Sequence, residues 1–365
     1  MSDSTSPTGS AAPDVSPATR TGAALRRMTA RSRTEEHRAS TPLELFFDLC
    51  FVVAVAQAGG RLVHAVADGQ TGHGVIGYLL VFFAIWWAWM NFSWFASAYD
   101  TDDVPYRVTT LVQIVGVLIL AAGVPRAFDD GDFRLTAVGY AVMRLALVTQ
   151  WLRAGRAETG PARTTAFAYA AGVTVCQVGW MVLLLPLGAP PVWAFVVMAA
   201  GELAVPPLAE RSAPTTWHPS HIAERYGLFT IIVLGESVSA ATVAVQSAVD
   251  EHRALGDLLP IAAGGLLIVF AAWWIYFAVP IEEHLASNRE AFLWGYGHFA
   301  VFSAAAAIGA GLEIAVKQAV GTTDVSVRGA SAAVTVPAAV FLFAVWLLHA
   351  RHHKQGVVQQ LTLPV

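Results

Sequence analysis

Charge is scarce in this 365-residue chain: only 13% of its residues are Asp, Glu, Lys or Arg, against about 25% in soluble domains. The formal net charge of -4 marks no strong excess of either sign, and no basic-aromatic stripe of the kind that tracks a nucleic acid is present, so nucleic-acid partners are excluded. Cysteine is nearly absent. Cys50 and Cys176 both fall inside apolar runs, where a thiol packs as a small hydrophobe, and neither a disulfide framework nor a cysteine zinc site follows. The chain lacks a Walker A loop, a glycine-rich dinucleotide fingerprint after a strand, a G-x-S-x-G elbow and an H-E-x-x-H helix. No cofactor is implied, no metal is assigned, and any transport is passive or driven by gradients. The first 40 residues lack the continuous apolar stretch of a signal peptide. They are rich in Ser, Thr, Pro, Ala and Arg and read as a disordered basic tail, residues 1–40. Its arginines, Arg20, Arg26, Arg27, Arg31, Arg33 and Arg38, hold it on the cytoplasmic side by the positive-inside rule.

What the chain has is hydrocarbon: 56% of residues are hydrophobic, with twelve Trp and nineteen Phe and a mean hydropathy of +0.55. Apolar runs of roughly 20 residues match a hydrocarbon core of about 30 Å. The fold class expected is all-α, a polytopic transmembrane helical bundle. Spans are expected near 43–65, 74–97, 106–126, 133–152, 164–187, 190–209, 221–246, 258–280, 291–317 and 328–350, which gives a transmembrane domain over 41–351 and a short tail over 352–365. Ten crossings put both termini on one side. A cytoplasmic N-terminus places Arg107, Arg153, Arg156 and Arg163 inside and leaves Arg126, Arg134, Arg253, Lys317 and Arg328 outside. The run His349, Arg351, His352, His353 and Lys354 is a cytoplasmic anchor whose side chains snorkel to headgroups. An internal repeat is suggested by LLVFFAIWW, Leu79 to Trp87, laid over LLIVFAAWW, Leu266 to Trp274. Spans 1 and 2 then resemble spans 7 and 8, pointing the same way as in parallel-repeat transporters.

Against that background each intramembrane charge is a hypothesis about function. Glu44 and Asp48 in ELFFDLCFV are i and i+4 on one helix face. Two like charges there need a cation between them, a proton, or an Arg or His from a partner helix; Glu44 also suits the positive end of a helix dipole. HIAERYGLFTIIVLGES carries Glu224, Arg225 and Glu236. Arg225 and Glu236 lie about 20° apart around the helix but some 16 Å apart along it, at about 1.5 Å per residue, so Glu236 needs a partner from elsewhere. Arg144, in the middle of the fourth span, is the obvious candidate. Convergence of Asp48, Arg144 and Glu236 in one charge-compensated cavity is the sharper reading, and a structural clamp between two helices the plainer one. Glu202 is either a third intramembrane acid or a group capped by Ser, Thr or backbone.

The wording of the two stretches ELFFDLCFV, after a Thr-Pro, and ERYGLFTIIVLGES, after a His-rich turn, resembles the signature segments of the bacterial low temperature requirement protein A family. The resemblance covers roughly residues 40 to 350; Cys50 stands where Val is commoner. What it implies is a multi-pass plasma-membrane protein named for a growth phenotype in the cold.

Aromatic density completes the reading. Trp86 and Trp87, near the middle of their span, and Trp273 and Trp274 in its apparent copy either pack inside the bundle or line a cavity whose ring faces stabilise a cation. His218, His221, His284 and His298 lie near span ends, and Glu282, Glu283 and His284 form a solvated interfacial cluster. Gly59-Gly60, Gly264-Gly265 and the Gly309–Gly311 pair read as close helix contacts. Two functions remain open: binding or moving a cation, proton or small polar solute through a buried acidic site, or intramembrane catalysis in which Asp48 or Glu236 acts as general acid on a lipophilic substrate such as an isoprenoid. The lipid bilayer is the expected partner, with the small solute, ion or lipophilic substrate unnamed and oligomerisation compatible with the sequence.

Overall fold

The computed structural model describes residues 25–32, 35, 38–187, 190–250, 255–285 and 287–349, apart from the side chains of residues 187, 240, 243, 244, 247, 248, 250, 255 and 257. Long helices account for most of them: α1 (Pro42–Ala67), α2 (Thr71–Tyr99), α3 (Val104–Asp129), α4 (Arg134–Ala157), α5 (Gly160–Leu187), α6 (Val192–Ala209), α7 (Pro219–Asp250), α8 (Leu255–Tyr276), α9 (Asn288–Ala319) and α10 (Val327–Leu348). Among the described residues there is no strand, and nine helices, all but α7, are long and apolar enough to cross a membrane. The chain is an all-helical, multi-pass membrane protein. The readings on Arg20, Arg33, Arg253, Arg351, His352, His353 and Lys354 concern residues outside those described.

Local sequence sets where helices begin. Thr41 caps α1 and Glu44 reaches back to it in a capping box, with Pro42 in the first turn; Ser287 and Glu290 repeat the device at α9. Such reciprocal pairs satisfy helix-end N–H groups that lipid cannot. Cross-helix bonds define two faces. Ser97, Thr165, Glu210, Trp217 and His218 meet at a proximal face, where Glu210 accepts from Tyr169 (2.8 Å) and Thr215 (2.6 Å) and also from Asn288. Arg61 with Asp129 (2.8 Å) and Thr323 with Ala67 mark the distal face.

Two helices fill the centre. In α9 the run from Ser303 to Leu312 is buried, and its small residues let neighbours approach: a methyl on Gly309 would fall 2.6 Å from the Ser237 Cα of α7, and one on Gly311 would strike the Ala333 carbonyl of α10. The other close-contact assignments need correction, because Gly59, Gly60 and Gly264 face open space, while Gly265 meets only the flexible Leu312 side chain. The second central helix is α2, with Trp86, Trp87 and Trp89 at most 2% exposed. Its proposed copy α8 lies on the rim, where Trp273 is 46% and Trp274 71% exposed. Those two tryptophans line no interior cavity; they face outward, where apolar surface meets lipid rather than protein. The repeat is thus not established by the packing, although α1 on α3 on α4 is matched by α7 on α9 on α10.

Part of the segment that composition assigns to a disordered tail is built into the proximal face. Met28 is buried, the Arg31 amide donates to the Ala98 carbonyl (2.9 Å), and the Ala30 amide donates to Glu158 (2.7 Å). Arg27 donates to the carbonyl of Ala157, the last residue of α4, and the buried Arg38 donates to the carbonyls of Ala96 and Ser97 in the last turn of α2. Cations at carbonyl-bearing helix ends are favoured by the dipole, which is why an Arg-rich but poorly patterned stretch finds order here.

Gly139 of α4 lies against the α3 backbone, where a methyl would strike Leu120 N. Gly139→Ala is expected to destabilise the bundle by about 1–3 kcal/mol, the usual cost of overpacking, whereas Gly60→Ala, in open space, leaves stability unchanged or slightly raised. Thermal unfolding of both variants in detergent micelles checks this.

Candidate functional site

Two i, i+4 pairs of opposite sign face each other across α1 and α7. Glu44 and Asp48 stand on α1, His221 and Arg225 on α7, and all four side chains are fully buried. Arg225 grips Asp48 with two donors, Nε to Oδ2 at 2.9 Å and Nη2 to Oδ1, and its Nη1 lies 3.2 Å from Glu44 Oε1. The indole of Trp89, from α2, donates to Asp48 Oδ1 at 2.7 Å. Glu44 Oε2 accepts from the backbone and hydroxyl of Thr41 (2.7 and 3.0 Å), while its Oε1 faces His221 Nε2 at 3.2 Å. A buried guanidinium is tolerated only where its charge is met; here Nε and Nη2 are hydrogen-bonded to Asp48, and Nη1 meets Glu44 as an ion pair without a hydrogen bond.

Further groups close the cluster. Arg38 acts on Glu44 from the proximal side, and Asp100 lies 4.0 Å from Arg38 and 3.6 Å from Arg31. The phenol of Tyr106, from α3, points into the same space and has no hydrogen-bond partner among the described residues. With both carboxylates ionised, the fully buried set of Glu44, Asp48 and Arg225 keeps one negative charge, which a proton on His221 cancels; Asp100 lies outside that set, between Arg38 and Arg31.

A second cluster lies deeper, on the other side of α2. Arg144 of α4 donates through Nη2 to Glu202 Oε2 of α6 at 2.8 Å and to the Tyr140 hydroxyl at 2.5 Å. Its guanidinium sits 4.8 Å over the Tyr140 ring. Glu202 also accepts from the indoles of Trp87 (2.9 Å) and Trp180 (3.1 Å). Because successive helical residues turn by about 100°, Trp87 and Trp89 leave α2 on nearly opposite sides, and each places an N–H on one of the two carboxylate sites.

The convergence of Asp48, Arg144 and Glu236 is therefore corrected. Asp48 pairs with Arg225 and Arg144 pairs with Glu202. Glu236 is half-buried with no hydrogen bond or ion pair to a described residue, and Glu224 is exposed, accepting from the Ser40 amide at 3.2 Å. Trp87 lines a small cavity, whereas Trp86 is packed among Phe83, Tyr296 and Phe299. Sequence reasoning did not assign His221, Trp89, Trp180, Tyr140, Arg38 or Asp100 to these clusters. The H-x-x-x-R spacing of His221 and Arg225, complementary to the E-x-x-x-D of Glu44 and Asp48, is the signal that could have found the first of them. Among the described residues no group of three His, Cys, Asp or Glu side chains is placed to hold a metal ion.

The family pattern of the bacterial low temperature requirement A protein (LtrA) matches residues 39–365. The chain belongs to this family. It is also similar to an uncharacterized protein of Rhizobium meliloti (strain 1021), 28% identical over 287 residues that cover 74% of this chain and 68% of that protein. No solved structure matches. Both signature stretches of this LtrA protein contribute directly to the first cluster, α1 supplying the acids and α7 the bases.

Two outcomes are expected from this geometry. Arg225→Gln leaves Asp48 and Glu44 buried without their cation and should cost about 3–5 kcal/mol; adding Asp48→Asn should recover more than half of that loss in unfolding experiments. Asp100, at the end of α2 and outside the spans, is pushed up to about 6 by burial and by the nearby Glu44 carboxylate, against the pull of Arg38 and Arg31. A raised carboxyl favours folding while it is protonated, so its contribution is full below its ordinary value of 3.8 and is lost as pH rises through about 6. Asp100→Asn should flatten the stability profile between pH 4 and 7, read by thermal unfolding across that range.

Proposed function

We propose that this LtrA protein is a membrane transport protein that takes up a proton, or a small cation in its place, at the Glu44–Asp48–His221–Arg225 cluster. The observation that supports this reading is the charge count at the fully buried centre: two carboxylates, Glu44 and Asp48, share the guanidinium of Arg225, with the fully buried imidazole of His221 at 3.2 Å from a carboxylate oxygen. An excess charge in a water-poor interior is neutralised by binding a counter-charge, and imidazole is the side chain whose ordinary titration falls nearest neutral pH. Protonation of His221 strengthens its attraction to Glu44 and loosens Glu44's claim on Arg225, so the state of one proton alters how α1 is held to α7.

The alternative, a carboxylic acid donating a proton to a lipophilic substrate, has less support. Both oxygens of Asp48 are engaged by Arg225 and Trp89. A cavity of about 220 Å³ between α7, α8 and α9 has aliphatic walls with Thr242 and no carboxylate among its lining residues. We also propose, from the distribution of Arg and Lys, that the protein resides in the plasma membrane with both termini cytoplasmic, which places the proximal face and its arginine-rich segment inside.

The test is reconstitution into liposomes carrying an internal pH indicator under an imposed pH gradient and potential. Wild-type protein is expected to pass protons, or the accompanying cation, in a saturable manner. His221→Ala and Glu44→Gln should each lower the rate at least about tenfold while the protein stays monodisperse. Equal flux from wild type and both variants would remove the cluster from any transport role.

A further inference from the structure

Among the described residues both clusters hold buried polar atoms without hydrogen-bond partners, but Arg225 Nη1 still has Glu44 Oε1 at 3.2 Å, whereas two nitrogens of Arg144 face no carboxylate oxygen within ion-pair reach. Arg144 is 2% exposed and holds five N–H donors. Nη2 serves Tyr140 and Glu202, whereas the groups on Nε and Nη1 have no hydrogen-bond partner among the described residues. A buried donor without an acceptor costs about 1–3 kcal/mol, more on a charged group. The charge of Arg144 is balanced by Glu202, so the deficit is of acceptor oxygens and not of charge. The Thr136 hydroxyl of α4 and both ends of the buried Gln177 amide of α5 are also without partners. Cys176, the residue before Gln177, lies close enough to Arg144 and Glu202 to feel both charges.

Two cavities approach this centre from opposite faces. On the distal side a cavity of about 30 Å³ is lined by Phe133, Thr136, Tyr140, Trp180, Leu184 and Phe195; Tyr140 and Trp180 are the residues that bond Arg144 and Glu202. On the proximal side another of about 20 Å³ is lined by residues that include Trp87, Asn91, Trp151 and Pro206, and Trp87 is a further donor to Glu202. At about 10–15 Å³ for a water, each has room for one or two small groups, and aromatic rings make up much of both walls.

We propose that Arg144 and Glu202 form a binding site for a small organic carboxylate, reached through these cavities, in which each anion bound is accompanied by one proton taken from solvent onto Glu202. A guanidinium recognises a planar carboxylate through one of two forks, and both forks include Nη2. The incoming anion therefore competes with Glu202 for that nitrogen. A displaced Glu202 carboxylate beside a second anion would leave net negative charge near mid-membrane, and protonation of Glu202 restores neutrality. The apolar body of the ligand lies against the rings, and its oxygens fill the unclaimed donors. This site shares no ionisable residue with the α1–α7 cluster and stands or falls apart from it.

The test uses the 365-residue chain in lipid nanodiscs, titrated with sodium acetate and sodium propionate by calorimetry, with proton uptake followed in weakly buffered solution. Wild type should bind both, more tightly at lower pH, with about one proton taken up per anion. Glu202→Gln, whose amide oxygen still accepts from Arg144 and the indoles, should bind about tenfold or more tightly and take up no proton. Arg144→Lys keeps the charge but loses the fork and should bind at least about tenfold more weakly. Absence of binding by both wild type and a folded Glu202→Gln variant overturns the site. Equal binding of chloride and acetate overturns the carboxylate assignment, and binding without proton uptake overturns the coupling. Asp48→Asn should leave all of these readouts unchanged, so failure of the first cluster is distinguishable from failure here.

Discussion

A guanidinium inside a hydrocarbon slab must find a carboxylate at the same depth on a neighbouring helix, and much of this bundle is arranged so that two of them do. Arg225 joins α7 to α1, and Arg144 joins α4 to α6. Between them runs α2, whose Trp87 and Trp89 each donate an indole N–H to one of the partnered carboxylates. Tryptophan suits this wall because it offers a large apolar body with one polar tip, so a single side chain fills space and removes an unmet acceptor. Without those donors Asp48 would rely on Arg225 alone, and Glu202 on Arg144 and Trp180, in surroundings where an unmet lone pair is costly.

The helices were legible from hydropathy because a long apolar run in lipid can satisfy its backbone only as a helix. The pairing of charges was not, and Arg144 shows why. Counted from the distal ends of their helices, Arg144 and Glu202 both lie ten residues in, about 15 Å at 1.5 Å per residue, so depth alone favours that match. The sequence points to Glu236 instead because that acid cannot reach Arg225 along its own helix and few basic groups lie inside apolar runs. Lateral order decides the matter: α4 packs on α3 and α5, while α7 packs on α9 and α1, and the rim of a bundle is not encoded in mean hydropathy. The same blindness put Trp273 and Trp274 inside, since a tryptophan facing lipid and one facing protein look alike in sequence.

Composition was a poor guide to residues 25–32, 35 and 38–40 for a different reason. Low hydrophobicity and many arginines predict a chain that cannot bury enough surface to order itself. Here order comes from outside the segment: the carbonyl ends of α2 and α4 accept from Arg38 and Arg27, and Asp103 holds the Arg26 amide at 2.8 Å. Asp103 is itself kept below the ordinary carboxylate range: burial pushes it up, but the guanidinium of Arg153 and the amides of Arg26 and Tyr106 more than offset that. The segment is thus tied to the same face through which the Glu44 cluster meets Arg38.

The two clusters are incomplete in complementary ways. Around Arg225 each guanidinium nitrogen lies within ion-pair reach of a carboxylate oxygen, yet the group counts one negative charge too many until His221 holds a proton. Around Arg144 the charges cancel, yet donors on two nitrogens wait for oxygen. The first is a deficit of positive charge and the second a deficit of acceptor oxygens. Since Trp87 and Trp89 are two residues apart on one rigid helix, a shift or rotation of α2 that lengthens one indole–carboxylate bond also moves the other.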